Sequence, residues 1–89
     1  MNDSLNFSNK AYTHKTTERS LFLNNDQYND FEHVINCLVA ICDHNEFQAE
    51  QCALIAHYNG RCEIAIGNLN ELTLIKEDLA LYGLDVEIV

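Results

Sequence analysis

The stretch Asn25-Asp26-Gln27-Tyr28-Asn29-Asp30 contains most of the polar side chains in this chain that are candidates for a role other than contact with solvent. The stretch follows the short apolar run Leu21–Leu23 and precedes an amphipathic run that begins at Phe31. Asn and Asp between a strand-like and a helix-like segment are typical of a strand-to-helix turn. Such a turn gathers carbonyl and carboxylate oxygens at one end of a domain, where they are suited to binding a cation.

Three segments share a helix-start pattern, an Asn three residues before Glu or Gln, which is typical of a capping box. The pairs are Asn29 with Glu32, Asn45 with Gln48, and Asn68 with Glu71. Apolar residues then recur at helical spacing, and Gly60 and Gly83 are typical of helix ends. The predicted buried stripes are Phe31, Val34, Ile35, Leu38, Ile41 and Cys42 in the first helix, Phe47, Ala53, Leu54 and His57 in the second, and Leu69, Leu72, Ile75, Leu79 and Tyr82 in the third.

Two runs alternate in polarity and predict strands with one buried face. The expected inward residues are Cys62, Ile64 and Ile66 in the first run, and Leu84, Val86 and Ile88 in the second. With a strand at Leu21–Leu23, the element order is β-α-α-β-α-β. The sequence therefore predicts an α+β fold, a three-stranded, mostly antiparallel sheet packed against three helices, with the strand order left open.

The 89-residue chain is the size of one small domain. Residues 1–19 are rich in Asn, Ser, Thr and Lys and are predicted to be a flexible N-terminal tail, with residues 20–89 as the core domain. No membrane-spanning run or signal peptide is evident, and the four cysteines form no CxxC pair. We therefore expect a cytoplasmic protein with free thiols, no zinc site and no cofactor.

Charge is distributed unevenly along the chain. Residues 1–19 contain three basic and two acidic residues, a net charge of +1, whereas residues 20–89 contain twelve acidic and two basic residues, a net charge of −10. A core this acidic repels nucleic acids and anionic membranes, so neither is expected as a partner. It favours a cationic or amine-bearing partner, although the charges could also serve solubility alone.

Two groups of side chains are candidates for chemistry. Asn25 and Asp26 could act with His57, whose simpler interpretation is a histidine that packs in the core or caps a helix. His33 and Cys37 are four residues apart and could share a helix face, but the sequence supplies neither an oxyanion loop nor a third orienting group. The cysteines fall mostly at or beside apolar positions, which favours small buried hydrophobic residues.

Two motifs at matching separation resemble those of the Clp protease adaptor family ClpS. The family pattern Asn-Asp-Asp-Tyr-Thr-Pro-Met-Glu-Phe-Val is similar, without a gap, to the segment that runs from Asn25 to Val34. The family's second motif is Ala-Val-His with a Gly three positions after the His. It is similar to Ile55-Ala56-His57 with Gly60. The resemblance covers roughly residues 20–89 and implies the same β-α-α-β-α-β fold.

The resemblance implies a site for the N-terminus of another protein. Asn25, Asp26 and His57 would hold its α-amino group and first peptide bond, with Gln27 and Asn29 at the rim. The residues expected to line an apolar pocket for the first side chain are Phe31, Val34, Ala53, Ala56 and Leu84. Phe31 and Ala53 replace two methionines of the family pocket, which predicts a preference for aromatic side chains over Leu.

The implied function is that of an adaptor and not of an enzyme. Such an adaptor binds N-degrons that begin with Leu, Phe, Tyr or Trp and delivers the substrate to the N-terminal domain of a Clp-type AAA+ unfoldase. The family's acidic and basic docking residues correspond here to Asn70 and Ile75. The alternative is a structural protein–protein interaction module of the same fold without N-degron recognition, and an enzyme that uses Cys and His is a third hypothesis.

Overall fold

The structure, a computed structural model, describes residues 17–89. Six elements follow in chain order, which confirms the predicted β-α-α-β-α-β arrangement. They are β1 (Arg19–Asn24), α1 (Phe31–Cys42), α2 (Glu46–Asn59), β2 (Arg61–Gly67), α3 (Leu69–Leu81) and β3 (Val86–Ile88). Residues 1–16, most of the predicted tail, lie outside the described residues, so the boundary after residue 19 stays a prediction.

The sheet has the strand order β2-β1-β3, and both neighbouring pairs are antiparallel. The first strand in sequence is therefore the central one. Its residues Leu21 and Leu23 are buried at 0% and 2% exposure. They form one core cluster with apolar residues of all three helices, including Leu38, Ala56 and Leu79.

A β-bulge in β2 overturns part of the predicted alternation. Leu21 pairs with Ala65 but Phe22 pairs with Glu63, so Ile64 is an extra residue on β2. Because one extra residue exchanges the two faces of a strand, Ile66 faces outward and is 56% exposed, and its predicted inward position is wrong. The carbonyl of the bulged Ile64 accepts a bond from Nε2 of the buried His44 at 2.9 Å.

The helix starts confirm two of the three predicted caps. Asn45 accepts the N–H of Gln48 at the start of α2, and Asn68 forms a reciprocal capping box with Glu71 at the start of α3. The prediction is wrong for α1, whose N-cap is Asp30: its carboxylate accepts the N–H of His33 at 2.9 Å. The amide of Asn29, the predicted cap, bonds elsewhere.

The buried face of α2 differs from the predicted stripe. Its buried residues are Ala49, Cys52, Ala53 and Ala56, whereas Phe47 is 70% exposed and His57 is also exposed. Small side chains occupy this face because α2 packs between α1 and the sheet. The large apolar residues at helix ends, Phe31, Leu69 and Tyr82, are also more exposed than predicted.

Candidate functional site

Three element ends meet at the loop between β1 and α1. The N–H of Asn25 donates to the carbonyl of Gly60 in the α2–β2 turn at 2.8 Å. The N–H of Asn24 donates to the carbonyl of Asp85 at 2.8 Å, and Nδ2 of Asn29 donates to the carbonyl of Gly83 at 2.9 Å. The loop is thereby joined to the ends of α2 and α3.

The carboxylate of Asp26 is held by an Asx turn. Its Oδ1 accepts the N–H groups of Tyr28 and Asn29, both at 2.9 Å, and its Oδ2 accepts Nδ2 of Asn29 at 3.0 Å. Partial burial raises the pKa of Asp26, but the bonds from Asn29 and Tyr28 outweigh burial and lower that pKa below its ordinary value. The half-buried carboxylate is therefore ionised at neutral pH and has a defined orientation.

A carboxylate oxygen can accept about two hydrogen bonds. Within residues 17–89, Oδ1 of Asp26 accepts two bonds and Oδ2 accepts one. One acceptor direction on Oδ2 is consequently left for a cationic donor. The Asp26 carboxylate thus combines a fixed negative charge with a free hydrogen-bond acceptor, which suits it to bind a cationic donor.

His57 and Asn25 are exposed at the same end of the domain. His57 lies in the last turn of α2, with its ring edge-on to that of Tyr58 at a centroid distance of 4.8 Å. Its exposure contradicts the interpretation of His57 as a core histidine. The bond between Asn25 and Gly60, three residues after His57, brings the two sequence motifs together.

The five residues expected to line the apolar pocket differ in exposure. Ala56 and Leu84 are buried members of the core cluster, and Val34 is half-buried against it. Ala53 is 5% exposed but is not part of that cluster, and Phe31, the first residue of α1, is 41% exposed. Gln27, one of the two predicted rim residues, is exposed, and Asn29 is half-buried.

A cavity of about 240 Å³ lies between α1 and the end of α3, and none of the predicted pocket residues lines it. His33 and Cys37 line it, with Cys37 Sγ 3.7 Å from His33 Nε2. His33 Nε2 is 2.8 Å from the carbonyl of Tyr82, which can only accept, so Nε2 bears the proton and cannot serve as a base for the thiol. Burial also raises the pKa of Cys37, so this pair lacks the features of a nucleophile and its base.

Cys42 and Cys52 are also neutral thiols. Burial, with a smaller effect of Cys37, raises the pKa of Cys42 to about 11. Burial, together with the neighbouring Cys62, raises the pKa of Cys52 to about 12, and the Sγ atoms of Cys52 and Cys62 are 2.7 Å apart. Across residues 17–89, no cluster of three or more His, Cys, Asp or Glu side chains is arranged to hold a metal ion.

Sequence reasoning missed the connection from Asn29 to Gly83, which are 54 residues apart. The spacing Asp26-x-x-Asn29 is a signal for the local Asx turn. No local pattern identifies the carbonyl of Gly83 as the second acceptor, because that contact depends on where α3 ends in space. Among residues 17–89, no helix is both long and apolar enough to span a bilayer.

Comparisons with known proteins agree with this architecture. The family model described as ATP-dependent Clp protease adaptor protein ClpS matches residues 14–86. A solved structure of Agrobacterium tumefaciens ClpS2 bound to L-phenylalaninamide is similar, with a TM-score of 0.76 and 22% sequence identity over 82% of this chain and 95% of that chain. No curated protein matches. Because the family model spans most of its length, this chain belongs to the ClpS family of Clp protease adaptor proteins.

Proposed function

We propose that the protein is an N-end-rule adaptor that binds a free α-amino group and a bulky apolar first side chain, and delivers the substrate to a Clp AAA+ unfoldase for degradation. The observation that carries the proposal is the Asp26 carboxylate, which is ionised, half-buried and fixed by three hydrogen bonds. Family membership supports the adaptor role, and Asn25 and His57 are the further ligands that we assign to the α-amino group and first peptide bond.

The electrostatics of the site favour an amine. An α-amino group has a pKa of about 7.7–8.0, so most of it is charged near neutral pH. The C-terminal ends of α2 and α3, which bear the negative ends of the helix dipoles, both meet the loop that holds Asp26. A charge-assisted bond to the carboxylate contributes roughly 1.5–3 kcal/mol.

The apolar side chain of the degron would enter a pocket lined by Phe31, Val34, Ala53, Ala56 and Leu84. Burial of a Leu or Phe side chain contributes roughly 1.5–3 kcal/mol. With one or two charge-assisted bonds, less the cost of association, affinities of about micromolar follow. An adaptor of that affinity can also release its substrate.

The residues at the pocket positions favour aromatic degrons. The Phe31 ring is partly exposed and can stack edge-to-face on an aromatic guest, for about 0.5–1.5 kcal/mol. The methyl group of Ala53 is smaller than the methionine of the family pattern, so the pocket should have room that Phe, Tyr or Trp fills better than Leu. We therefore expect N-terminal Phe, Tyr and Trp to bind more tightly than Leu.

Delivery requires a second surface and the N-terminal segment. Asn70 is exposed and Ile75 is half-buried on α3, and these residues stand where the family pattern has charged docking residues. Neither is charged here, so the unfoldase domain that docks on α3 must be recognised by other contacts. Removal of residues 1–16 is expected to leave peptide affinity unchanged and to impair degradation of a bound substrate.

Peptides that differ in one group test the proposal. Titration with two Phe-first peptides, one with a free and one with an acetylated N-terminus, should show binding of the free amine alone. Peptides that begin with Phe or Ser and are otherwise identical should separate by at least tenfold, or about 1.4 kcal/mol. Equal binding of all these peptides would instead identify an interaction module without N-degron recognition.

A further inference from the structure

Asn29 connects the Asp26 carboxylate to the end of α3. Its backbone N–H donates to Asp26 Oδ1 at 2.9 Å, and its side-chain Nδ2 donates to Asp26 Oδ2 at 3.0 Å. The same Nδ2 donates to the carbonyl of Gly83 at 2.9 Å. A carboxamide nitrogen has two hydrogens, so Asn29 can make both side-chain bonds at once.

The carbonyl of Gly83 is itself held in place. The N–H of Leu84 donates to the carbonyl of Leu79 at 3.1 Å, and that of Gly83 donates to the carbonyl of Ala80 at 3.0 Å. These bonds form a Schellman motif, and the φ of Gly83 is +84°, a left-handed conformation that glycine adopts without strain. Leu79 and Leu84 are both buried, which adds the hydrophobic contact typical of the motif.

A second bond ties the same turn to α1. Nε2 of His33 donates to the carbonyl of Tyr82, the residue before Gly83, at 2.8 Å. The turn at residues 82–83 therefore presents two carbonyls to the segment that begins at Asn29, and both are used. This turn therefore fixes the position of Asn29, and through Asn29 that of the Asp26 carboxylate.

We propose that Asn29 is the positioning residue of the amine site, because it orients the Asp26 carboxylate and anchors it to the C-terminal turn of α3. The proposal rests on the proposed function in so far as Asp26 accepts the degron amine. Asn29, which was predicted to lie at the rim of the peptide site, is thereby assigned a contact with the Asp26 carboxylate instead of a contact with the peptide. Threonine, the family residue at this position, has one hydroxyl hydrogen and could not donate to both acceptors at once.

The pKa of Asp26 agrees with this role. Burial raises that pKa, and the backbone and side-chain bonds from Asn29 are the largest effects that lower it. Loss of the Asn29 side chain removes one of those bonds while the burial remains. The folded-state pKa of Asp26 should therefore rise in an Asn29→Ala variant, and the amine site should lose its charge at a higher pH.

The other titratable residues near this end of the domain are the same in wild type and Asn29→Ala. They come from the loop, α1, the end of α2 and the α3–β3 segment, and are Tyr28, Asp30, Glu32, His33, His57, Tyr82 and Asp85. A difference between wild type and Asn29→Ala consequently reports the removed side chain.

The experiment compares wild type, Asn29→Ala and a matched control, Asn24→Ala. Asn24 is also a half-buried asparagine of this region, but its side chain contacts Asp85 at 3.4 Å and not Asp26. The titration of the Asp26 carboxyl carbon is followed by NMR in the free proteins, with the amide spectrum as the record of folding. The midpoint should move to higher pH in Asn29→Ala and stay at the wild-type value in Asn24→Ala.

Affinity for a Phe-first peptide is measured on the same three proteins. Asn29→Ala should bind about tenfold more weakly near neutral pH, with a larger deficit at lower pH, and Asn24→Ala within about twofold of wild type. An unchanged Asp26 midpoint in folded Asn29→Ala would overturn the proposal, whatever the affinity, because the Asn29 side chain would then have no effect on the Asp26 carboxylate. If the midpoint moves but wild type fails to discriminate free from acetylated peptide, the positioning of Asp26 stands and the proposed function fails.

Discussion

The Asp26 end of the domain and the cavity beside His33 differ in what their polar groups can still offer a ligand. Both rest on the same turn, since Gly83 supports Asn29 and Tyr82 supports His33. Asp26 retains its charge and an acceptor direction, whereas the Nε2 proton of His33 is used and Cys37 is a neutral thiol. The cavity therefore does not contain the groups suited to bind an amine, and we base the proposed site on unused hydrogen-bonding capacity instead.

Of the substitutions that test this comparison, loss of the Asp26 charge should have the largest effect on peptide affinity. Asp26→Asn keeps the size of the side chain but removes the charge that we propose binds the amine. Removal of one partner of a desolvated charged pair costs about 2–5 kcal/mol, so peptide affinity should fall by more than about thirtyfold. Calorimetric titration measures the affinity, and circular dichroism checks the fold. Wild-type affinity in a folded variant would remove Asp26 from the site.

His57→Ala should have the next largest effect. His57 is exposed, so loss of its bond to the degron should cost less than loss of Asp26, about 1–3 kcal/mol. Thermal stability should hardly change, because the ring is not part of the core. The matched control is Tyr58→Ala, which removes the neighbouring exposed ring. An equal loss of affinity in both variants would point to the shape of the α2 terminus and not to the imidazole.

Ala53→Met is expected to change selectivity by about 1 kcal/mol or less. The longer side chain fills the space that aromatic guests need, so binding of a Trp-first peptide should weaken more than binding of a Leu-first peptide. Affinities of Leu-, Phe-, Tyr- and Trp-first peptides are measured on both proteins. A wild type that binds Leu most tightly, or an unchanged Leu-to-Trp ratio, would show that Ala53 does not shape the pocket.

The smallest effect on binding is expected from Cys37→Ala in the other cavity. The thiol is buried and neutral and bears no role in the amine site, so peptide affinity should stay within about twofold. The midpoint of urea unfolding should fall slightly, because a small buried side chain is truncated. A loss of affinity as large as that of His57→Ala would mean that the cavity communicates with the site.

Local hydrogen-bonding patterns in the sequence predicted several features of the structure. The caps at Asn45 and Asn68 and the helix ends at Gly60 and Gly83 involve residues three to five positions apart, so neighbours along the chain determine them. The two motifs around Asp26 and His57 were sufficient to suggest the family. The element order followed from the alternation of these local signals.

The tertiary structure decided the features that depend on distant residues. The central position of β1, the bulge at Ile64 and the outward turn of Ile66 arise from pairing between strand residues 37 to 67 positions apart, which no local pattern encodes. The shift of the α1 cap to Asp30 has the same origin, because Asn29 instead donates its amide to Asp26 and to Gly83. Those two acceptors become neighbours only when the Schellman turn of α3 packs beside the loop, and that contact lies between residues 54 positions apart.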